Sequence, residues 1–205
     1  MTQHIQINTV IIPSMETQQE AFRFIEKLRQ YAEPEFFVSE EGPFPHITLY
    51  APEYPESQMS EIQNHLRQFA QESKGVYLPF SHIEVVQDGG VFFVYKETPE
   101  IDKMRFAIVE KLNGLRGGHV RQKYYNTERF NNEQKNDIEK FGYPFSFYKF
   151  PHITLCKFKN IEEAQAVIDA LGELPCPPSL FVNILGLYEM GTFGRCIKLV
   201  DKYTL

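Results

Sequence analysis

The sequence has little of what marks secreted, membrane-spanning or strongly basic proteins. It holds three cysteines, Cys156, Cys176 and Cys196, which are too few and too scattered for a disulfide framework or a zinc cage. The odd count suits a reducing cytoplasm. The first residues have no basic leader and no apolar run long enough to span a membrane. We therefore expect a soluble cytoplasmic protein without a membrane segment, acting as a monomer.

The chain also lacks an excess of positive charge. Its formal net charge is -6, so global attraction to nucleic acid is not expected, and an anionic substrate must be held by a local site. Hydrophobic residues make up 42% and charged residues 23%, which is ordinary for a globular protein. A length of 205 residues allows one large domain or two small lobes that share an interface.

One six-residue segment occurs twice. Residues 44–49 and residues 150–155 both read Phe-Pro-His-Ile-Thr-Leu. With average amino-acid usage, an identical six-residue repeat arises by chance in only about one of a thousand sequences of this length. The flanking segments repeat more loosely, so we infer a duplication with pseudo-repeats over about 14–97 and 99–201.

The hydrophobic periodicity predicts the same order of elements in both halves. Helices are expected over residues 16–32, 57–73 and 100–115, and from the N-cap Asn160 to a stop at Gly172. Hairpins are expected over 78–86 with 91–96 and over 180–188 with 196–200, and an opening strand over 4–12. We therefore predict one bilobal α+β domain over residues 1–205, a pseudo-two-fold duplication in which two mainly antiparallel sheets with outer helices flank a central cleft. Exchange of strands between the lobes is compatible with this pattern.

The repeated segment is predicted to be a strand that presents polar side chains to the cleft. In a β-strand the side chains alternate between faces. His46 and Thr48 then share one face, and so do His152 and Thr154. The intervening apolar residues anchor each strand in its lobe, so two facing lobes bring the four polar side chains together.

That set of side chains suits the cleavage of a phosphodiester. The reaction needs a base for the attacking oxygen and an acid for the leaving oxygen, and two imidazoles can divide these tasks near neutral pH. Threonine hydroxyls can donate to the non-bridging oxygens, where negative charge builds up. We predict His46 and His152 as catalytic residues and Thr48 and Thr154 as phosphate-binding residues, with no metal or other cofactor.

Other roles for these histidines stay open at this point. A lone strand histidine is usually a satisfied structural residue, although duplication together with a threonine argues against that role. Histidines also bind metals, but no carboxylate or cysteine recurs beside the motif. The remaining histidines lack a repeated context and are expected to be structural or surface residues: His4, His65, His82 and His119.

The two motifs resemble the hallmark of the 2H phosphoesterases, also called the LigT-like or 2′-5′ RNA ligase-like superfamily. That hallmark is two copies of His-x-Thr/Ser followed by an apolar residue, and residues 46–49 and 152–155 both match it in full. The resemblance implies a bilobal fold, catalysis by both histidines and phosphate contacts from both threonines. Members act on 2′,3′-cyclic phosphates, RNA ends, ADP-ribose cyclic phosphate, 2′-5′ oligonucleotides or, in some phages, cyclic oligonucleotide signals. The expected partner is therefore a nucleotide, an oligonucleotide or an RNA end.

Two further functions fit the same scaffold. One is a binding module that holds RNA or a nucleotide without turning it over, although intact histidines and threonines argue against it. The other is an RNA-end ligase, which could act only by reversal of cleavage because the sequence shows no lysine nucleotidylation motif and no P-loop. The sequence does not assign the acid and base roles between the two histidines.

Residues 116–149 interrupt the repeat as an insert rich in glycine, asparagine, basic and aromatic residues. It is either a substrate-binding lid or a solvated connection with a small helix around 131–140. Its basic cluster either attracts a polyanion or is a solvated loop, diluted by acidic neighbours: Arg116, His119, Arg121, Lys123 and Arg129. Weaker candidates for substrate contacts in the cleft are Tyr50, Tyr148, Phe193 and Arg195.

Overall fold

The computed structural model describes residues 3–126, 128–144, 150–174 and 176–205, and the side chain of Phe193 lies outside the described part. Within these ranges the backbone forms eleven β-strands and five α-helices. The strands are β1 His4–Ile11, β2 Phe36–Phe37, β3 Ile47–Tyr50, β4 Glu53–Pro55, β5 Val76–Leu78, β6 Phe80–Val85, β7 Gly90–Tyr95, β8 His152–Lys157, β9 Leu180–Val182, β10 Ile184–Met190 and β11 Cys196–Thr204. The helices are α1 Met15–Leu28, α2 Met59–Glu72, α3 Pro99–Leu112, α4 Asn132–Phe141 and α5 Ile161–Leu171.

The elements expected from the sequence are present, with ends that differ by a few residues. The four predicted helices are α1, α2, α3 and α5, and the two predicted hairpins are β6–β7 and β10–β11. Side-chain caps fix the helix starts, because they satisfy backbone N–H groups that have no partner in the first turn. Ser14 Oγ accepts a hydrogen bond from the N–H of Thr17 (3.3 Å), and Asn160 Oδ1 accepts one from the N–H of Glu163 (2.9 Å).

The strands form two main antiparallel sheets. The first has the order β11-β10-β1-β3, and β4 pairs with the beginning of β1. The second has the order β2-β8-β7-β6, and β5 and β9 form a separate two-stranded ribbon. This architecture confirms the predicted α+β class with mainly antiparallel sheets.

Each main sheet combines strands from both halves of the sequence. The first motif strand, β3, pairs with β1, which pairs on its other side with β10 of the second-half hairpin. The second motif strand, β8, pairs with β7 of the first-half hairpin. The hairpins are thus exchanged, and neither half of the sequence holds a complete sheet.

The helices cover the outer faces of the sheets. Helices α1 and α5 contact the second sheet, whereas α2 and α3 contact the first. One hydrophobic cluster runs through the assembly, and the apolar motif residues Ile47, Leu49, Ile153 and Leu155 are buried in it, as the strand alternation predicts. Among the described residues, none of the helices is long and apolar enough to cross a membrane.

The described part of the insert is a packed unit with the small helix α4, close to its predicted bounds. Its apolar centre consists of Tyr124, Phe130 and Ile138. Arg116, only 4% exposed, joins its two ends, because Nη1 donates to the carbonyl oxygen of His119 (2.6 Å) and Nη2 to that of Lys140 (2.9 Å). These bonds satisfy backbone oxygens that would otherwise lose their water on burial.

Candidate active site

The four polar residues of the repeated motif line one cavity of about 420 Å³. His46 precedes β3 directly, Thr48 lies on β3, and His152 and Thr154 lie on β8. The two strands belong to different sheets and contact each other. The exchange of hairpins therefore brings the two copies of the motif to a shared cleft.

Both imidazoles are oriented by the same local hydrogen bond. His46 Nδ1 donates to the carbonyl oxygen of Phe44 (2.8 Å), and His152 Nδ1 donates to that of Phe150 (3.2 Å). A carbonyl oxygen can only accept, so the proton of each neutral ring is assigned to Nδ1. Each Nε2 is then the nitrogen that takes up or gives a proton during a reaction.

The two histidines have different neighbours. Beside His46 lies Asn8, which is fully buried. Its Nδ2 is 3.4 Å from His46 Nε2 and donates to Thr48 Oγ1 at 3.0 Å. His152 instead stacks on the ring of Phe92, with a centroid distance of 4.5 Å and an interplanar angle of 19°. A side-chain amide therefore lies beside His46, and an aromatic ring packs against His152.

Burial favours the neutral form of both rings. Desolvation lowers the pKa of His46 below its usual value, although the bond to Phe44 opposes the shift. Desolvation lowers the pKa of His152 to about 4, and repulsion from His46 and Arg105 adds to the shift. A bound phosphate anion would act in the opposite direction, because negative charge stabilises an imidazolium.

The hydroxyl of Thr48 can donate a hydrogen bond to a ligand in the cavity. Its oxygen accepts the hydrogen bond from Asn8 Nδ2, and a hydroxyl also carries one proton of its own to give. Thr154 holds the equivalent position in the second motif and lines the same cavity. Two hydroxyls beside two imidazoles form a set that can bind a phosphate group and move protons to and from it.

Of the weaker candidates for substrate contacts, one lines the cavity, two have side chains outside the described part of the structure, and one is buried elsewhere. Arg195 lines the cavity as expected, and its Nη2 donates to Thr192 Oγ1 at 2.6 Å. Tyr148 lies outside the described residues. Phe193 belongs to the short 3-10 helix Thr192–Gly194, but its side chain is not among those described.

The expectation that Tyr50 lines the cleft is wrong. Tyr50 is fully buried in the core, because the insert covers it. Its hydroxyl lies 2.7 Å from the carbonyl oxygen of Phe141 and 3.0 Å from Oδ1 of Asn113, and the ring of Tyr143 packs edge-on at 6.5 Å. Tyr50 therefore connects the motif strand to the insert rather than to the cleft.

The basic cluster of the insert also divides. Arg116 is structural, and His119 pairs with Glu53 (2.7 Å) and stacks on His4 at 3.9 Å. The other three members, Arg121, Lys123 and Arg129, line the cavity together with the motif residues. The solvated-loop interpretation is therefore wrong for Arg116 and Arg121, which are buried, and attraction of a polyanion by the cluster stays a prediction.

Sequence reasoning missed two neighbours of the catalytic candidates. Asn8 carries a weak signal, since it is a polar residue in an otherwise apolar strand, and a buried polar residue needs a partner. Phe92 carries no signal, because it lies in an apolar hairpin strand and meets His152 only through the pairing of β7 with β8. Over the described ranges, no group of three or more His, Cys, Asp or Glu residues is placed to hold a metal ion.

Comparisons with known proteins agree with this fold. The family model of the 2′-5′ RNA ligase superfamily matches residues 17–191. E. coli LigT in its apo form is similar over 100% of this chain and 99% of its own, with a TM-score of 0.58 and 15% identity. TT0787 of Thermus thermophilus is similar over 98% of both chains, with a TM-score of 0.58 and 15% identity. A comparison with curated proteins found no match.

The match covers most of the chain, and the fold and the paired motifs agree with it. The chain therefore belongs to the 2′-5′ RNA ligase superfamily, the 2H phosphoesterases. Membership supports activity on phosphodiesters in general. LigT has also been crystallised with phosphate and with 3′-AMP, so this fold accommodates such ligands in a relative.

Proposed function

We propose that the chain is a phosphodiesterase that cleaves a nucleotide or RNA phosphodiester without a metal ion, using His46 and His152 as general acid and base. One observation carries the proposal. Two imidazoles, each with Nδ1 bonded to a backbone carbonyl oxygen, line one cavity together with the threonine two residues further along each strand. Pure binding does not need a matched proton donor and acceptor.

For a 2′,3′-cyclic phosphate, the neutral histidine takes a proton from water through Nε2 while the water oxygen bonds to phosphorus. The bond from phosphorus to one ribose oxygen breaks on the opposite side, and the protonated histidine gives its Nε2 proton to that oxygen. Thr48 and Thr154 donate to the non-bridging oxygens as their charge grows. Both imidazoles have the same bond at Nδ1, so this contact permits either assignment of roles.

For an RNA or 2′-5′ linkage with a free neighbouring hydroxyl, the base takes the proton of that hydroxyl instead of a water proton. The hydroxyl oxygen then bonds to phosphorus, the nucleotide beyond it leaves with the proton from the second histidine, and a cyclic phosphate is the product. The ligands crystallised with E. coli LigT, which include 3′-AMP and ATP, support a nucleotide as the substrate class. The three free cysteines suit a reducing compartment such as the cytoplasm.

A substrate screen with matched variants tests the proposal. The panel holds 2′,3′-cyclic nucleotides, 2′-5′ oligoadenylate and cyclic oligonucleotides, all with EDTA present. His46→Ala and His152→Ala should each lower kcat by about 10²–10⁴-fold, because each removes one proton transfer. His65→Ala, on helix α2 outside the cavity, is the control and should keep wild-type activity.

Two outcomes would contradict the proposal. Nucleotide binding without turnover by the wild-type protein would favour a binding module on the same scaffold. Activity that is lost in EDTA and restored by a divalent cation would replace the two-histidine mechanism. Joining of a cyclic phosphate end to a free hydroxyl end, when both are supplied in excess, would add ligation as the reverse reaction.

A further inference from the structure

The cavity is strongly positive although the protein is negative. The described residues that line it include five cationic side chains and one carboxylate: Arg121, Lys123, Arg129, Lys157 and Arg195 against Asp88. The chain as a whole has a formal net charge of -6. Such a local excess attracts anions to the cavity although the overall field repels them.

The motif residues account for one phosphate and leave part of this charge unexplained. Lys157 is paired with Asp88, with Nζ 3.1 Å from Oδ2, and Arg195 belongs to the second hairpin. The other three cations all come from the insert and share the cavity wall with Tyr124 and Phe130. They are a second group, separate in sequence from both copies of the motif.

Two buried arginines of the insert, Arg116 and Arg121, differ in how many of their side-chain nitrogens form hydrogen bonds. Arg116 is buried and all three of its side-chain nitrogens donate hydrogen bonds, to Asn113, His119 and Glu139. Arg121 is 5% exposed, but among the described residues its Nε and Nη1 make no hydrogen bond, and only Nη2 donates, to Gln6. A buried guanidinium whose N–H groups have no acceptor destabilises the fold unless a bound anion accepts their hydrogen bonds.

The carboxylate nearest to Arg121 is a weak partner. Glu53 Oε1 lies 3.9 Å from Arg121 Nε, whereas Glu53 Oε2 lies 2.7 Å from His119 Nε2. Glu53 is therefore shared, and its closer contact is with the histidine. It leaves Nη1 of Arg121 without a partner in the part of the chain that the structure describes.

Lys123 and Arg129 complete the group at the exposed side of the wall. Arg129 Nη2 donates to the carbonyl oxygen of Lys123 (2.7 Å), which holds the Arg129 side chain against the backbone of Lys123. Within the described ranges neither residue forms an ion pair. Desolvation, and then repulsion from Arg121 and Arg129, lower the pKa of Lys123 to about 8, although attraction to Glu53 opposes the shift.

We propose that Arg121, Lys123 and Arg129 form a second anion subsite, which binds a phosphate group of the substrate other than the one that is cleaved. The inference rests on the proposed function and narrows its substrate class. The preferred substrate carries at least two phosphates, either as a terminal phosphate on a nucleotide or as a neighbouring diester in an oligonucleotide. A cyclic mononucleotide without a further phosphate leaves the subsite empty.

The experiment compares three substrates that differ in their second phosphate. They are adenosine 2′,3′-cyclic phosphate, the same compound with a 5′-phosphate, and a diadenylate that ends in a 2′,3′-cyclic phosphate. The wild-type protein should have a kcat/KM at least about 10-fold higher for one of the last two, since charged hydrogen bonds to phosphate are strong. The substrate with the larger increase in kcat/KM shows whether the second phosphate is a terminal phosphate or a neighbouring diester.

The double variant Lys123→Gln/Arg129→Gln should reduce this preference by about 10-fold, because it removes two cations and leaves buried Arg121 in place. Lys135→Gln/Lys159→Gln removes the same charge outside the cavity lining and should keep the preference. The subsite proposal would be wrong if the Lys123/Arg129 variant lost kcat/KM equally on all three substrates. It would also be wrong if that variant kept the wild-type preference. The preference should also weaken as salt rises.

A binding measurement separates failure of the subsite from failure of catalysis. The dissociation constants of the three corresponding 3′-phosphates are measured with wild-type protein and both double variants. If no substrate is turned over but a second phosphate tightens binding through Lys123 and Arg129, the subsite stands and the proposed catalysis is wrong. If a second phosphate gives no gain in either affinity or kcat/KM, the subsite is wrong whether or not turnover occurs.

Discussion

At the scale of residues, the backbone just before each His-Ile-Thr-Leu motif orients the imidazole ring of its histidine. The carbonyl oxygen two residues before each histidine accepts a hydrogen bond from its Nδ1–H. Each ring is thereby fixed with Nε2 as the reactive nitrogen. A six-residue segment thus supplies an imidazole, the backbone acceptor that sets its tautomer and a hydroxyl two residues further along the strand.

Asn8 is the residue whose role near the motif is most open to test. It contacts both His46 and Thr48 from a fully buried position, so we expect it to position the Thr48 hydroxyl. Asn8→Ala should lower kcat by about 10-fold while KM changes little, because the oriented hydroxyl matters most in the transition state. The same substitution in a Thr48→Ala background should have a much smaller effect.

Cys196→Ala is the matched control for Asn8. Cys196 Sγ is the third contact of the same amide, at 3.9 Å, and its loss leaves the bond to Thr48 intact. The thermal midpoint Tm of each variant shows whether the fold survives. Equal effects of Asn8→Ala with and without Thr48 would mean that Asn8 does not act through that hydroxyl.

The repeated motif made His46, Thr48, His152 and Thr154 predictable because their signal is local and occurs twice. Asn8 was not assigned to the site from sequence, and Arg121 was named only in a basic cluster whose role stayed open, since each acquires its neighbours only through contacts between distant segments. Asn8 meets Thr48 across the pairing of β1 with β3. The misplacement of Tyr50 has the same cause, because strand alternation gives no information about which segment covers a face.

At the scale of elements, helices and hairpins followed from periodicity and capping, whereas their pairing did not. The hairpin β6–β7 joins β8 rather than the motif strand of its own half. Such long-range choices depend on how whole hydrophobic faces are buried, which a local pattern does not contain. The insert was recognisable as an interruption, but its place beside the cavity depends on tertiary hydrogen bonds such as those of Tyr50 and Arg116.

Tyr50→Phe should lower the free energy of unfolding by about 1–2 kcal/mol, because it removes the buried hydroxyl that donates to the Phe141 carbonyl oxygen at 2.7 Å. Tyr95→Phe is the matched control. Tyr95 is equally buried, but its hydroxyl has no hydrogen-bond partner among the described residues, so its loss should be neutral or slightly stabilising. Urea unfolding of both variants provides the comparison, and equal destabilisation would show that the Tyr50 hydroxyl does not hold the insert.

At the scale of the whole molecule, charge is separated between surface and cavity. The chain carries 27 acidic and 21 basic residues, yet the described residues of the cavity wall carry mostly positive charge. Composition therefore indicated correctly that any anion must be held locally, and only the folded arrangement shows where. The cavity holds cations and two buried imidazoles together, so protonation of the imidazoles in the free protein is unfavourable.

This arrangement links stability to pH with a definite sign. The pKa of His152 is about 4 in the folded protein and about 6.5 in an unfolded chain, so the unfolded state binds more protons between these values. The free energy of unfolding should therefore fall as pH falls from about 6.5 to about 4. Chemical denaturation at several pH values should show a shallower fall for His152→Asn than for the wild-type protein, because the substitution removes this group while the carboxylates that titrate in the same window are retained. An unchanged slope in His152→Asn would mean that His152 titrates alike in both states.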